Sequence, residues 1–134
     1  MKRMLVLVVA SCIAVSGSLF AALGNTEDEV AELFGKPVDQ GFPDKRGVIT
    51  DMYQKGNYVI IVQFLNHLSL AESYTRTDKH ELSENEISAF LDGSSNDRGW
   101  NKTPDKQAWE RTDHKARAWV ETLSGRPTLL IQAH

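Results

Sequence analysis

The sequence predicts an α+β domain: an antiparallel β-meander of about six strands with two short helices packed on one face, after an N-terminal signal segment. Two helices are indicated by capping boxes, one beginning at Thr26 and the other at Ser83. A sheet is indicated by the segment 58–65 (YVIIVQFL), which is rich in β-branched and aromatic residues. The signal segment is indicated by the uncharged apolar stretch 4–23.

The N-terminal stretch has the order of regions that is typical of a secretory signal peptide. Lys2 and Arg3 supply the positive end, and no acidic residue occurs before Glu27. We expect a signal peptide over 1–24 and a single domain over 25–134, exported to the periplasm or secreted. Cleavage requires small residues at two positions separated by one, and Ala22-Leu23-Gly24 and Ser16-Gly17-Ser18 both fit.

Two other fates of this segment stay open, and both would bring the protein to a membrane. The stretch is close to the roughly 20 apolar residues that a transmembrane helix needs, so a retained anchor is one alternative. The other is lipidation of Cys12, which follows Val9-Ala10-Ser11 in a lipobox-like pattern. Cleavage remains the expectation, because Ser11, Ser16, Gly17 and Ser18 interrupt the apolar stretch, and it continues after Cys12.

Composition excludes several function classes. The chain carries 15 basic and 18 acidic residues, and loss of Lys2 and Arg3 with the signal makes the domain still more acidic. An acidic domain without a basic run is a poor partner for nucleic acid or for an anionic membrane surface. Because Cys12 is the single cysteine, the domain has no disulfide, no thiolate nucleophile and no cysteine metal ligand.

Local signals divide the domain into helices, strands and loops. The first helix begins after Thr26 and ends near Gly35, and the second begins after Ser83 and ends near Gly93. Turn residues separate the predicted strands, and a polar loop is predicted over 94–106. No internal repeat is evident. The strands are predicted at 47–53, 58–65, 69–76, 108–112, 116–121 and 128–132.

Residues 24–37 (GNTEDEVAELFGKP) carry one recognisable signature. The pattern Gly-x-Thr-x-x-x-Val, followed by an apolar residue, Gly-x-Pro, a tyrosine-containing strand and a hydrophobic strand, resembles the SmpA/OmlA family over residues 24–76. That family comprises small lipoproteins of outer-membrane assembly, and the β-lactamase-inhibitor-protein fold is similar to it. The resemblance implies an exported, non-catalytic module that docks its sheet or helices onto another protein.

Motifs for catalysis and metal binding are incomplete. The segment His80-Glu81-Leu82-Ser83-Glu84 begins like a zinc-protease helix but lacks the second histidine. The loop 92–103 resembles a calcium loop, yet it has Asp97 at the sixth position and Thr103 at the twelfth. The four histidines fall at turns, a helix entry and the chain end, with no converging spacing. We therefore predict no catalytic residues, no metal site and no cofactor.

Three tryptophans remain as candidates for binding a partner. Trp100 follows Arg98 in the predicted polar loop, and exposed tryptophan beside arginine is typical of an interface. We take Arg98, Trp100 and Trp109 as the candidate partner-binding residues, with Trp119 in a predicted strand and suited to the core. Trp100 folded back onto the sheet or core is the competing interpretation.

These observations favour an exported, non-catalytic protein-interaction module of the bacterial envelope, with a protein partner of the cell envelope. The alternative is a small-molecule-binding or enzymatic domain that uses a pocket between the sheet and the helices. A purely structural envelope protein is a third possibility.

Overall fold

The computed structural model describes residues 23–134, so most of the expected signal segment, 1–22, lies outside the described residues. In the described part, two helices and eight strands form one α+β unit, in which no helix is long and apolar enough to span a membrane. In chain order the elements are α1 (Glu27–Phe34), β1 (Asp39–Gln40), β2 (Ile49–Lys55), β3 (Tyr58–Leu65), β4 (Leu68–Arg76), α2 (Glu84–Gly93), β5 (Trp100–Lys102), β6 (Ala108–Arg111), β7 (Ala116–Leu123) and β8 (Arg126–Ala133).

The helices begin where the capping boxes predict. The Thr26 hydroxyl accepts a hydrogen bond from the backbone of Glu29, whose carboxylate accepts one from the backbone of Thr26. Ser83 and Glu86 repeat this arrangement at the start of α2. Each box satisfies two of the backbone N–H groups that a helix start leaves without partners, so these short sequences fix both starts locally.

The sheet is fully antiparallel, with the strand order β1-β2-β3-β4-β8-β7-β6-β5. The α+β class is confirmed, and the prediction of about six strands is low, because the described residues contain eight. Two four-stranded meanders meet where β4 pairs with β8. The additional strands are the outermost ones, β1 and β5, and β5 lies within the predicted polar loop 94–106. Strands of two and three residues are too short to show alternation, so only pairing with β2 and β6 reveals them.

The described chain is built from two similar halves, each a helix followed by four strands. Thr-Glu-Asp-Glu-Val at the start of α1 corresponds to Ser-Glu-Asn-Glu-Ile at the start of α2. In both halves a basic side chain from the second strand bonds a carbonyl at the end of the helix, Lys55 to Leu33 and Arg111 to Ser94. The expectation of no internal repeat is therefore wrong at the level of structure.

The core lies between the helices and one face of the sheet, which we call the covered face. Aromatic rings connect the two halves there: Tyr74 of β4 stacks on Phe90 of α2, with ring centroids 3.9 Å apart. Phe34 of α1 meets the edge of Tyr74 on its other side at 6.4 Å. The remaining buried core residues are Val30, Tyr53, Ile60, Val62, Phe64, Leu82, Ile87, Leu91, Ala118, Leu129 and Ile131.

Candidate functional site on the open face of the sheet

The structure places two of the three predicted partner-binding residues on the covered face. Trp100 and Trp109 lie on adjacent strands, and both pack against the core. The Trp100 indole Nε1 donates to the carbonyl of Leu91 at the end of α2, at 2.8 Å. Arg98 is exposed in the loop before β5. Packing and one hydrogen bond therefore account for Trp100, which follows the competing interpretation that it folds back onto the core.

Trp119, which the sequence suggested for the core, lies on the opposite face of the sheet, which we call the open face. Side chains of a strand alternate between faces, and Ala118 and Val120 occupy the covered face. The misassignment arises because the large apolar side chain of Trp119 suggests core, although its neighbours on the same face, Arg117 and Glu121, are charged and exposed.

The register of the strands aligns Trp119 with other side chains in a row across the open face. Each member pairs with the next on the neighbouring strand, and each is half-buried although no described helix covers this face. The row is mainly apolar. We call it the central row, and it consists of Met52, Ile61, Ser73, Leu130, Trp119 and Ala108.

Two polar rows flank the central row. The glutamine row consists of Thr50, Gln63, Ala71, Gln132, Arg117 and Glu110. The threonine row consists of Gln54, Val59, Thr75, Thr128 and Glu121. In all three rows, the strands β2, β3, β4 and β8 contribute no charged side chain. Charged side chains lie at both borders of the face: Glu110, Arg117 and Glu121 on β6 and β7, and Asp39 on β1, which pairs with Met52.

A hollow of about 230 Å³ opens at the centre of this face. The small side chains of Ala71 and Ser73 on β4 form its floor. The two strands that flank β4 carry larger side chains, which form the walls of the hollow. These walls are Ile61 and Gln63 on β3, and Leu130 and Gln132 on β8. Trp119 of β7, next to Leu130, also lines the hollow.

Two contacts hold the Trp119 indole in place. Its Nε1 donates a hydrogen bond to Glu121 Oε1 at 3.1 Å, and the Arg117 guanidinium carbon lies 5.1 Å from the ring centroid. A cation over the face of an indole is attracted by the ring electrons. Trp119 is therefore a fixed wall of the hollow, with both charged neighbours already engaged.

Directly beneath the hollow, β4 places a carboxyl on the covered face. Glu72 is 3% exposed, and burial raises its pKa to about 8. Ser94 donates a hydrogen bond to Glu72 Oε1 at 2.6 Å, whereas Oε2 has no hydrogen-bond partner among residues 23–134. A carboxyl with this pKa is mostly protonated at neutral pH, so Glu72 lies in the core as a neutral group.

A second, more polar hollow of about 430 Å³ lies on the helix side of the sheet. It is in the region where the alternative interpretation, a small-molecule-binding or enzymatic domain, expects a pocket. Arg111, 8% exposed, borders it beside Ser94. Its Nη1 donates to the Ser94 carbonyl and its Nε donates to Asp113, both at 2.9 Å. Since the carbonyl end of a helix carries partial negative charge, Arg111 has a structural role at the end of α2.

Two of the four histidines, His114 and His134, lie beside the same carboxylate, which their spacing did not predict. His114 Nδ1 lies 3.1 Å from Glu110 Oε1, and His134 Nε2 lies 3.8 Å from Glu110 Oε2. All three side chains are largely exposed. Within residues 23–134, no three His, Cys, Asp or Glu side chains are arranged so that they could hold a metal ion.

One loop displays an exposed aromatic ring. Phe42 is 91% exposed between β1 and β2. The loop is fixed on both sides of Phe42, because Asp51 accepts the backbone N–H of Gly41 and Asp44 accepts that of Val48. A Cβ at Gly41 would lie 2.3 Å from the Thr50 carbonyl oxygen, so only glycine fits there.

No protein-family model and no curated protein matches the chain. A solved structure with a similar backbone is a cysteine-rich secretory protein from Staphylococcus aureus subsp. aureus Mu50, at 14% sequence identity and a TM-score of 0.45. The alignment covers 83% of this chain and 44% of the Staphylococcus protein, so this chain spans less than half the length of that structure.

Proposed function

We propose that the chain is an exported, non-catalytic protein-interaction module of the bacterial envelope, and that it docks through the open face of its sheet. The observation that carries the proposal is the central row: Met52, Ile61, Leu130 and Trp119 form a half-buried apolar strip that no described helix covers. Contiguous apolar surface with polar borders is typical of a docking site. The resemblance of residues 24–76 to the SmpA/OmlA family agrees with this role.

Docking through the face is favoured over docking through the edges of the sheet. A partner that adds a strand needs a long exposed edge with free backbone groups. The edge strands here are β1, with two residues, and β5, with three. Such short edges are a common means of preventing strand addition.

The titratable groups support a non-catalytic role. Those with displaced pKa values are engaged in structural contacts rather than directed into a common cleft. Burial raises the pKa of Asp51, which accepts the backbone N–H of Gly41. The pKa of Asp113 is lowered by its hydrogen bond with Arg111. Both contacts hold loops in place.

Site-specific photocrosslinking in living cells of the source bacterium tests the docking face. A photoreactive amino acid at Gln63 lies on the open face, and one at Ser88 lies on the exposed side of α2 as the matched control. We expect one discrete adduct from position 63 and none from position 88. The proposal fails if both positions crosslink alike or if position 63 gives no adduct.

The protein in that adduct then allows a quantitative test. With the purified partner, Leu130→Glu should weaken binding by about tenfold or more, because it places a charge in the middle of the apolar strip. Glu84→Leu, on the exposed side of α2, is the control and should bind like the unchanged protein. Equal affinity of the Leu130→Glu variant would remove the open face from the interface.

Export is tested separately, by fractionation of the same cells. The proposal expects the mature protein in the periplasm or the medium. Full-length protein in the cytoplasm would contradict it.

A further inference from the structure

We infer that the hollow over β4 receives one large uncharged side chain, aromatic or branched aliphatic, from the protein that docks on the open face. The inference rests on the proposed function and specifies the chemistry of the partner at its centre. It follows from the shape of the hollow, from the absence of charged side chains inside it and from the long hydrogen bonds of its two glutamines.

The shape is that of a receptor for a side chain. Ala71 and Ser73 leave a trough one strand wide, between Ile61 on β3 and Leu130 on β8. Its volume of about 230 Å³ is below the roughly 300–1,000 Å³ of sites that enclose whole small molecules. A group the size of one side chain therefore fills it, as anchor residues fill pockets at the centre of protein interfaces.

The position of the hollow excludes an added strand as its occupant. β4 pairs with β3 on one side and with β8 on the other, so its backbone groups are already bonded within the sheet. A bound chain can reach Ala71 and Ser73 only with a side chain, directed onto the face.

The charge of the hollow selects an uncharged occupant. Of the residues that line the hollow, only Glu72 is ionisable, and its side chain is buried on the opposite face of the sheet. The nearby Arg117 and Glu121 are engaged with Trp119. A charged side chain in the hollow would lose its hydration without gaining a partner of opposite charge, which is costly.

Two glutamines can bind the backbone beside the inserted side chain. Gln63 and Gln132 flank Ala71 on the two neighbouring strands. Their hydrogen bonds within the sheet are long: Gln63 donates to Thr50 at 3.5 Å, and Gln132 accepts from Arg117 at 3.4 Å. A carboxamide has both donors and an acceptor, as a peptide group requires, so either glutamine can exchange its weak bond for one to the partner.

NMR titration of the domain with N-acetyl-L-phenylalaninamide tests the occupant directly. We expect shifts of the Ala71 methyl and Trp119 indole signals, with millimolar affinity, because one side chain supplies only a few kcal/mol. The α-amide of N-acetyl-L-aspartic acid, with its charged side-chain carboxylate, should bind at least about tenfold more weakly. Equal binding of the two probes, or shifts confined to the covered face, would overturn the inference.

Filling the hollow gives the matched test. Ala71→Leu should reduce binding of the phenylalanine probe by about tenfold or more, whereas Thr50→Leu, on the same face outside the hollow, should not. Ser73→Leu replaces Ala71→Leu if that variant does not fold. Unchanged probe binding in a folded Ala71→Leu or Ser73→Leu variant would contradict the inference.

The two proposals fail in different ways. If position 63 gives a crosslinked adduct but the phenylalanine probe does not bind, the open face is the docking surface and the inferred uncharged occupant of the hollow is wrong. Probe binding at Ala71 without any adduct from the open face would reject the docking function and retain the chemistry of the hollow.

Discussion

The buried carboxyl of Glu72 makes the free energy of unfolding of this protein depend on pH, because burial raises its pKa. Its pKa of about 8 in the folded protein lies above the ordinary glutamate value of 4.5, so the folded state binds the proton more tightly than the unfolded chain does. The stability that this group contributes is fully present below about pH 4.5 and is lost as the pH rises to about 8.

Glu72→Gln tests this at the level of one residue. The amide has the same shape and no charge, so the free energy of unfolding should lose a slope of about 1.4 kcal/mol per pH unit between pH 5 and 8. Urea unfolding at three pH values in that range measures it. Glu32→Gln, at an exposed position of α1, is the control. A slope that stays the same in Glu72→Gln would show that Glu72 is ionised in the fold.

The indole of Trp100 provides a second prediction at this scale. Trp100→Phe keeps an aromatic ring but removes the hydrogen bond to the Leu91 carbonyl, so it should lower the free energy of unfolding by about 1 kcal/mol. Trp119→Phe, on the open face, should cost less than that, because the Trp119 indole bonds an exposed carboxylate. Thermal unfolding compares the two, and an equal cost would contradict the assignment of Trp100 to the core.

At the scale of elements, the two capping boxes should matter to similar degrees. Thr26→Ala and Ser83→Ala each remove the acceptor for an N–H group in the first turn of a helix. We expect each to lower the free energy of unfolding by about 1 kcal/mol. Chemical denaturation measures the loss, with Ser88→Ala in the exposed middle of α2 as the control. A loss confined to one of the two boxes would show that the halves are not equally stabilised by their helices.

The first described residues bear on where the signal segment ends. Leu23 packs against the core, and Gly24 donates its backbone N–H to Ser69 at 2.9 Å. Both contacts would be lost if the mature chain began at Asn25. These contacts favour cleavage at the upstream site, after Ser18, over the boundary after residue 24 that the sequence alone suggests.

Intact mass of the mature protein measures this directly, and under the proposed export the expected mass corresponds to a chain that begins at Leu19. A mass corresponding to a start at Asn25 would show that the fold does not need these two contacts. A mass that includes residues 1–24 would indicate that the segment is retained.

Local signals in the sequence predict the elements better than they predict the faces. Both helices were predicted, because a capping box lies within a few residues of chain. β1 and β5 were missed, because they exist only through pairing with strands that follow them in sequence. Trp100 is expected in a polar loop, and the structure follows the competing interpretation that it folds back onto the core. Trp119 is expected in the core but lies on the open face, which it shares with Arg117 and Glu121.

At the scale of the whole molecule, the two halves share one core and should not fold separately. Tyr74 of the first half stacks on Phe90 of the second, and β4 needs β8 as its outer neighbour. A fragment of residues 23–80 would expose the unpaired edge of β4 and the ring of Tyr74. We expect it to associate or to stay unfolded, as sedimentation and circular dichroism would show. A folded monomeric fragment would contradict this prediction.

The pairing of β4 with β8 also bears on the symmetry of the open face. Ser73 and Leu130 face each other across this pair, and their outer neighbours are Ile61 and Trp119. Two identical halves, as in a symmetric dimer, would present every feature twice. Because the two halves here differ in sequence, one side of the pair carries the small Ser73 beside Ile61 and the other carries Leu130 beside Trp119, so the two sides of the hollow are unlike.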